Sequence, residues 1–170
     1  NITDSPEGAD ANDLYADNIK YGSIRSAEKV SGSIEAYTYP DEWLPCDGIV
    51  TPVTGVHFRQ QARQMFGLCW RTEIGSDADE EEGYKLHFVY GATASPSDQS
   101  HDTINDSPDA ATFSWDYETT PVEVSGYKPL SKVEIDSRTA NATKLAALEK
   151  TIYGDNSNNS SLPLPAAIVT

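Results

Sequence analysis

The sequence of 170 residues has no long hydrophobic run and few cysteines. No stretch reaches the roughly 20 apolar residues of a membrane-spanning helix, and the first residues lack the basic and apolar parts of a signal peptide. Two cysteines, Cys46 and Cys69, are too few for the disulfide framework of a small secreted domain. We therefore expect a soluble chain whose thiols are reduced and buried, with a single disulfide between Cys46 and Cys69 as the open alternative.

Basic side chains are also scarce. The 12 Lys and Arg residues face 27 Asp and Glu residues, which gives a formal net charge of −15. Proteins that grip nucleic acid through its phosphates need clustered Lys and Arg, so this balance argues against such binding. An acidic surface is by itself an ordinary feature of soluble proteins.

Sequence motifs of the common enzyme classes are missing as well. The chain has no serine nucleophile elbow, no phosphate-binding glycine loop and no metalloprotease helix. Two alternatives have weak signals. The possible ligands of a zinc site are Cys46, His57, Cys69 and His87, and the possible acid pair is Asp41 with Glu42. The zinc candidates have wide, irregular separations, and the adjacent acids are typical of a turn. The sequence thus predicts no enzyme, no cofactor and no metal site.

Two segments with alternating side chains carry the clearest structural signal. In Tyr84 to Tyr90, aromatic and aliphatic residues alternate with Lys85 and His87, and in Phe113 to Tyr117 aromatic residues alternate with polar ones. A period of two is typical of strands with one buried face. The connection Thr93 to Asp109 is long and polar, and loops of this length are usually functional or disordered. These segments predict the wall of a β-sandwich or barrel.

Other segments complete the expected fold. We expect an N-terminal arm or loop at 1–13, a strand from Ser33 to Tyr39, and an ordered loop from Tyr39 to Gly48 pinned by Tyr39 and Trp43. One long strand with a polar first half is predicted from Val56 to Ile74. A solvated loop at 76–83 and a short strand at 132–136 follow.

The end of the chain contains the best helix signal. Leu145, Leu148 and Ile152 are spaced to share one face of a helix over Asn141 to Tyr153. Asn141 suits the N-cap, and Gly154 suits a left-handed end. Residues 155–170 are expected to form a polar link and then an extended apolar segment that docks on its own sheet or on a neighbour.

Taken together, these strings resemble the major tail tube proteins of long-tailed, non-contractile bacteriophages along nearly the whole chain. The segments that carry the resemblance are LYADNIKY (14–21), IEAYTYPDEW (34–43), FGLCWRTEIG (66–75), GYKLHFVYGATASPS (83–97), TINDSPDAATFSWDYETTPV (103–122) and KLAALEKTIYG (144–154).

The resemblance implies a virion protein of the phage tail, made in the cytoplasm of a host bacterium. It implies a single mainly β domain over 1–170, an antiparallel β-sandwich or partial barrel of tail-tube type with one flanking α-helix near the C-terminus. By this resemblance, subunits would close into six-membered rings and stack into a tube. The implied partners are other copies, the tape measure, terminator and distal tail proteins, and DNA that passes through the lumen without specific binding.

Within this interpretation, polar loops and chain ends are the candidate contacts between subunits. Arg59 and Arg63 are candidates to receive acids from a neighbour, and Leu162 and Leu164 lie in the terminal segment. The other candidates are acidic or loop residues, namely Asp77, Asp79, Glu80, Glu81, Glu82, Asp98 and His101.

Two alternatives stay open at this point. One is a head or tail decoration or completion protein of a virion. The other is a sugar-binding β-sandwich whose exposed aromatic side chains stack on a ligand, with the platform drawn from Tyr37, Tyr39, Trp43, Trp70 and Trp115. The strand phasing places Trp70 and Trp115 with apolar partners, which favours a core position for both.

Overall fold

A computed structural model describes residues 1–8, 12–16, 19–24, 28–75, 82–97, 112–155 and 158–168. The strands in these ranges are β1 (Ile2–Glu7), β2 (Asn12–Ala16), β3 (Ile19–Ile24), β4 (Lys29–Ala36), β5 (Val50–Val53), β6 (Val56–Phe58), β7 (Phe66–Ile74), β8 (Gly83–Ala94), β9 (Phe113–Thr119) and β10 (Lys132–Asp136). The helices are α1 (Ala142–Tyr153) and the short α2 (Pro165–Ile168). The predicted mainly β fold, antiparallel with one helix near the C-terminus, is confirmed.

Contacts within the chain divide it into two compact units. Unit 1 comprises residues 1–66 and 91–120, and unit 2 comprises residues 67–90 and 121–170. Strand β8 contributes its first part to unit 2 and its last part to unit 1. The expected single domain stays a prediction.

In unit 1, β4 lies between β1 and β9, and β9 also pairs with the end of β8, all antiparallel. Trp115 and Tyr117 of β9 are buried, while the alternate residues Ser114, Asp116 and Glu118 are exposed. Gly32 lies opposite Tyr117, and a Cβ there would overlap Thr3 O and come within 2.6 Å of the Tyr117 hydroxyl. Glycine is therefore required where β1 and β9 approach β4 closely.

Aromatic rings fill the core of unit 1. The loop after β4 forms a short 3-10 helix at Asp41–Trp43, and it places Tyr39 and Trp43 against Trp115 with ring centroids 5.2 and 5.3 Å apart. Phe66 and Phe113 pack edge-on against Trp43 and Tyr39. Edge-to-face pairs at these distances stabilise beyond their buried area. The prediction of an ordered loop pinned by its aromatic side chains is confirmed.

In unit 2, the first part of β8 pairs with β7 and with β10. Leu86, Phe88 and Tyr90 of β8 form the core with Leu145 of α1. Helix α1 begins as predicted, because the Asn141 side chain accepts hydrogen bonds from the backbone N–H groups of Thr143 and Lys144. The helix is followed by Gly154, whose φ is 75°. The predicted helix and strand faces are thus confirmed.

Two predictions about single segments are wrong. Residues Ile2–Glu7 form β1 rather than an arm, because backbone pairing with β4 holds an edge strand whose side chains are mostly exposed. Val56 to Ile74 is not one strand, since β6 folds back on β5 at the Thr54–Gly55 turn and residues 59–65 are not extended as a strand.

The predicted core position of Trp70 is also wrong. Cys69 packs against the core of unit 2, so the neighbouring Trp70 points to the other face of the sheet. There its ring stacks on His87 with centroids 5.2 Å apart.

None of the helices in the described ranges is long and apolar enough to span a bilayer.

Candidate functional site

Among the described residues of unit 1, the β5–β6 hairpin groups four exposed apolar residues. Its two strands join through Thr54 and Gly55, and Gly55 has a φ of 83°. Two apolar pairs face each other across the strands, Val50 with Phe58 and Val53 with Val56. These four side chains, which we call the hairpin surface, are 49%, 56%, 65% and 45% exposed in that order.

No third strand supports this hairpin in the part of the chain that the structure describes. Strands β5 and β6 form a separate two-stranded sheet among the described residues, braced by a 2.9 Å contact between Thr51 Oγ1 and His57 Nδ1. A two-stranded hairpin alone is only marginally stable in water. The hairpin surface exposes on the order of 400 Å², which is typical of the largest, often functional, patch on a monomer. A covering partner would therefore stabilise it.

The charge around the hairpin differs from that of the rest of the chain. Residues 48–72 contain no Asp or Glu, although the chain has 27 of them. The segment carries His57, Arg59, Arg63 and Arg71 instead. An apolar, weakly basic surface on an acidic chain is complementary to acidic surfaces of other copies of the same chain.

Arg59 and Arg63, predicted to receive acids from a neighbour, both lie near Asp47 of their own chain. The shortest nitrogen–oxygen distances are 3.9 Å for Arg59 and 3.8 Å for Arg63. Arg63 also donates a 2.6 Å hydrogen bond to the carbonyl of Ala94, and its side chain is 22% exposed. The Arg59 side chain is 54% exposed and stays reachable from outside. The predicted contacts between subunits stay predictions.

Most of the acidic and loop candidates lie outside the described residues. They are Asp77, Asp79, Glu80, Glu81, Asp98 and His101. Glu82 is exposed, and its backbone N–H donates to the carbonyl of Ile74 at 2.9 Å, where the chain enters β8.

The two leucines of the terminal segment have different environments. Leu162 packs against the core of unit 2 and against Gly67, where an added Cβ would overlap its side chain. The Tyr90 hydroxyl donates a 2.8 Å hydrogen bond to the carbonyl of Pro163. Leu164 is 70% exposed. The segment thus docks on its own unit through Leu162 and leaves Leu164 accessible. Its predicted extended form is wrong at Pro165–Ile168, which form the short helix α2.

Unit 1 also has a sheet face made of carboxylates and hydroxyls. Ser31 lies opposite Glu118 and Ser33 opposite Asp116, and none of the four is buried. We call this the polar sheet face, with the members Thr3, Ser5, Glu7, Ser31, Ser33, Glu35, Ser114, Asp116 and Glu118. The same alternation also places a basic residue, Lys29, on the polar sheet face, where it lies opposite Glu7.

Strand β1 forms an open border of unit 1. It pairs with β4 on one side, and among the described residues no strand pairs with its other side. Unpaired backbone groups on such an edge can accept a strand from another chain. Pro6 lies in this strand and offers no backbone donor.

Titratable groups in the described ranges do not suggest a cofactor centre. Within those ranges, no group of three or more His, Cys, Asp or Glu side chains could hold a metal ion. Burial raises the pKa of Cys46 and Cys69, which keeps both thiols protonated at neutral pH.

The aromatic residues of the sugar-binding alternative do not form one platform. Tyr39, Trp43 and Trp115 pack on one another in the core of unit 1. Tyr37 is 73% exposed, and Trp70 stacks on His87.

Sequence reasoning missed the hairpin surface. A usable signal was present, because apolar residues at Val50 and Val53 and at Val56 and Phe58 flank the turn-forming Thr54–Gly55 pair. The absence of acids from residues 48–72 was a second signal.

Comparison of the chain with models of protein families, with curated proteins and with solved structures finds no match.

Proposed function

We propose that this protein is a structural subunit of a bacteriophage tail tube, which assembles with copies of itself into stacked rings. The observation that carries the proposal is the hairpin surface, an exposed apolar patch inside an acid-free segment of a strongly acidic chain. The resemblance to major tail tube proteins gives the form of the assembly, and the surface chemistry supports association between copies.

The contacts that the proposal requires are heterologous, in which one patch of a subunit meets a different patch of the next. Such contacts close into rings or propagate as helical filaments. The open side of β1 can pair with a strand of a neighbour, which would leave no free edge in a closed ring. The hairpin surface would then be covered by the acidic surface of another copy.

We assign the polar sheet face to the lumen of the tube. Carboxylates such as Glu7, Asp116 and Glu118 repel DNA phosphates, and serine hydroxyls offer weak, uncharged contacts. A wall of this kind would let DNA pass without binding it. At the ends of the tube, the tape measure, terminator and distal tail proteins would be the partners.

The experiment compares the full chain with a V53S/V56S double variant by sedimentation velocity over a range of concentrations. Both valines are exposed, so the variant should fold, but its hairpin loses much of its apolar area. We expect the wild type to form large species that the double variant does not form. A Tyr127→Ser variant removes an exposed aromatic residue outside the hairpin and should assemble like the wild type.

Equal assembly of the double variant and the wild type would refute the role of the hairpin surface. A monomeric wild type at every concentration would refute the proposed function as a whole. A decoration or completion protein would bind an assembled head or tail without forming tubes alone, and a sugar-binding module would stay small and retain glycan affinity.

A further inference from the structure

Three strands of unit 2 bring a hydroxyl, an imidazole and a carboxylate into one chain of hydrogen bonds. Thr72 of β7 lies 2.8 Å from His87 of β8, measured from Oγ1 to Nε2. The other ring nitrogen, Nδ1, lies 3.2 Å from the Oε1 atom of Glu134 of β10. The three residues are far apart in sequence and meet only through the strand pairing.

The partners of His87 determine which atom donates in each bond. Lys132 lies 2.8 Å from Glu134 and, with His87, lowers the pKa of that carboxyl, so Glu134 is ionised and can only accept. The Nδ1 atom of His87 must then carry the hydrogen that it donates to Glu134. In the neutral ring Nε2 is left as an acceptor, and the hydroxyl of Thr72 donates to it.

The imidazole is held in place while the hydroxyl stays accessible. Trp70 stacks on the His87 ring at an interplanar angle of 14°, and the His87 side chain is only 12% exposed. Thr72 lies in the exposed part of β7. The lone pairs of its oxygen are therefore available to a molecule from solvent while its proton already points at a base.

We propose that Thr72 is a nucleophilic hydroxyl that accepts an acyl group from an activated ester, with His87 as its general base and Glu134 as a positioning residue. This order of groups, hydroxyl to Nε2 and Nδ1 to carboxylate, is what activates an alcohol in acyl transfer. The inference is independent of the proposed assembly.

The reaction is a single transfer. The Oγ1 atom of Thr72 attacks the carbonyl carbon of the ester, and its proton moves to Nε2 of His87. A new carbon–oxygen bond to Thr72 forms, the bond to the leaving alcohol breaks, and the protonated imidazole returns the proton to the leaving oxygen. General-base assistance of this kind contributes roughly 10²- to 10⁴-fold to a rate.

The test uses p-nitrophenyl acetate with the full chain, and follows release of p-nitrophenol together with peptide mass spectrometry. We expect one acetyl group on Thr72, no such adduct in T72V, and retention of the adduct at that position in T72S. His87→Gln should slow the transfer at least tenfold. Thr120, an exposed threonine of unit 1 without a histidine contact among its described hydrogen bonds, is the internal control and should stay unmodified.

The pH dependence of the transfer rate distinguishes a chemical role of His87 from a purely structural one. The groups in contact with His87 are Thr72 and Trp70 from β7 and Glu134 from β10, and Lys132 of β10 contacts Glu134. The pH dependence of the rate should differ between the wild type and H87Q, because only the wild type has the imidazole as its base. Glu134→Gln should slow the transfer, and Glu134→Asp should restore part of the rate.

Two results would overturn the inference. One is acetylation confined to lysines such as Lys132 and Lys85, with no adduct on Thr72. The other is a Thr72 adduct that forms at the same rate, with the same pH profile, in wild type and H87Q.

Discussion

The β5–β6 hairpin and the β7–β8 pair each consist of two paired strands that carry apolar side chains. The surroundings of those side chains differ between the two regions. Phe58 of the hairpin is 56% exposed, whereas Phe88 of β8 is fully buried beside α1. Strand β10 pairs with β8 and α1 packs on its buried face, whereas no further strand pairs with the hairpin among the described residues.

This difference separates two uses of the same chemistry. Apolar area removed from water inside unit 2 stabilises the fold, at roughly 25 cal/mol per Å². Apolar area left on the hairpin contributes nothing to the isolated chain and becomes favourable only when another surface covers it. We therefore expect stability to depend on β8 and association to depend on β5 and β6.

The largest expected effect comes from the matched pair Phe88→Ala and Phe58→Ala. Truncating the buried Phe88 should lower the free energy of unfolding by about 3–5 kcal/mol, because transfer energy and a cavity act together. Truncating the exposed Phe58 should change it by less than about 0.5 kcal/mol. Denaturant unfolding measures both, and equal losses would contradict the contrast between the two regions.

A smaller loss is expected from Gly32→Ala in β4. An added Cβ overlaps Thr3 O and crowds the Tyr117 hydroxyl, so β1 or Tyr117 must shift. Overpacking of this kind costs about 1–3 kcal/mol. Gly8→Ala is the control, since nothing lies within 4 Å of its added Cβ. If Gly32→Ala unfolds at the wild-type denaturant concentration, the close approach of β1 to β4 is wrong.

The helix that covers unit 2 can be loosened at its start. Asn141→Ala removes the acceptor for two backbone N–H groups and should lower the free energy of unfolding by about 1 kcal/mol. Asn141→Asp keeps an acceptor at the same position and should retain most of the stability. Thermal unfolding followed by circular dichroism checks both variants, and an equal loss in both would argue against capping.

The smallest effect concerns acid stability at the end of β10. Arg138 donates hydrogen bonds of 3.0 and 2.7 Å to Asp136, which lowers the pKa of that carboxyl from 3.8 to about 2. Because the folded value is the lower one, the pair stabilises the fold above the unfolded pKa. Its contribution is lost as the pH falls through about 2.

Arg138→Gln should therefore melt at a slightly lower temperature than the wild type at neutral pH, and the gap should close between about pH 4 and pH 2. Lys150→Gln on the exposed side of α1 is the charge-matched control. A gap that widens toward low pH would contradict the sign of the shift.

The sequence was sufficient where one periodic pattern and one buried face coincide. Strands β8 and β9 were predicted from their alternation, and α1 from its apolar spacing, its Asn141 cap and Gly154. Strand β1 could not be predicted, because an edge strand held by backbone pairing needs no apolar alternation.

The contacts of the two candidate sites were harder to predict for another reason. The Thr72–His87–Glu134 arrangement depends on the register of three strands, and a shift of one residue would place every side chain on the opposite face. The hairpin was not predicted, because the polar residues after Phe58 were interpreted as the first half of one strand from Val56 to Ile74.

Electron microscopy of the purified full chain at high concentration, with the V53S/V56S variant beside it, tests self-assembly most directly. We expect rings or stacked tubes for the wild type and solitary particles for the variant. Solitary particles for the wild type at every concentration would contradict it.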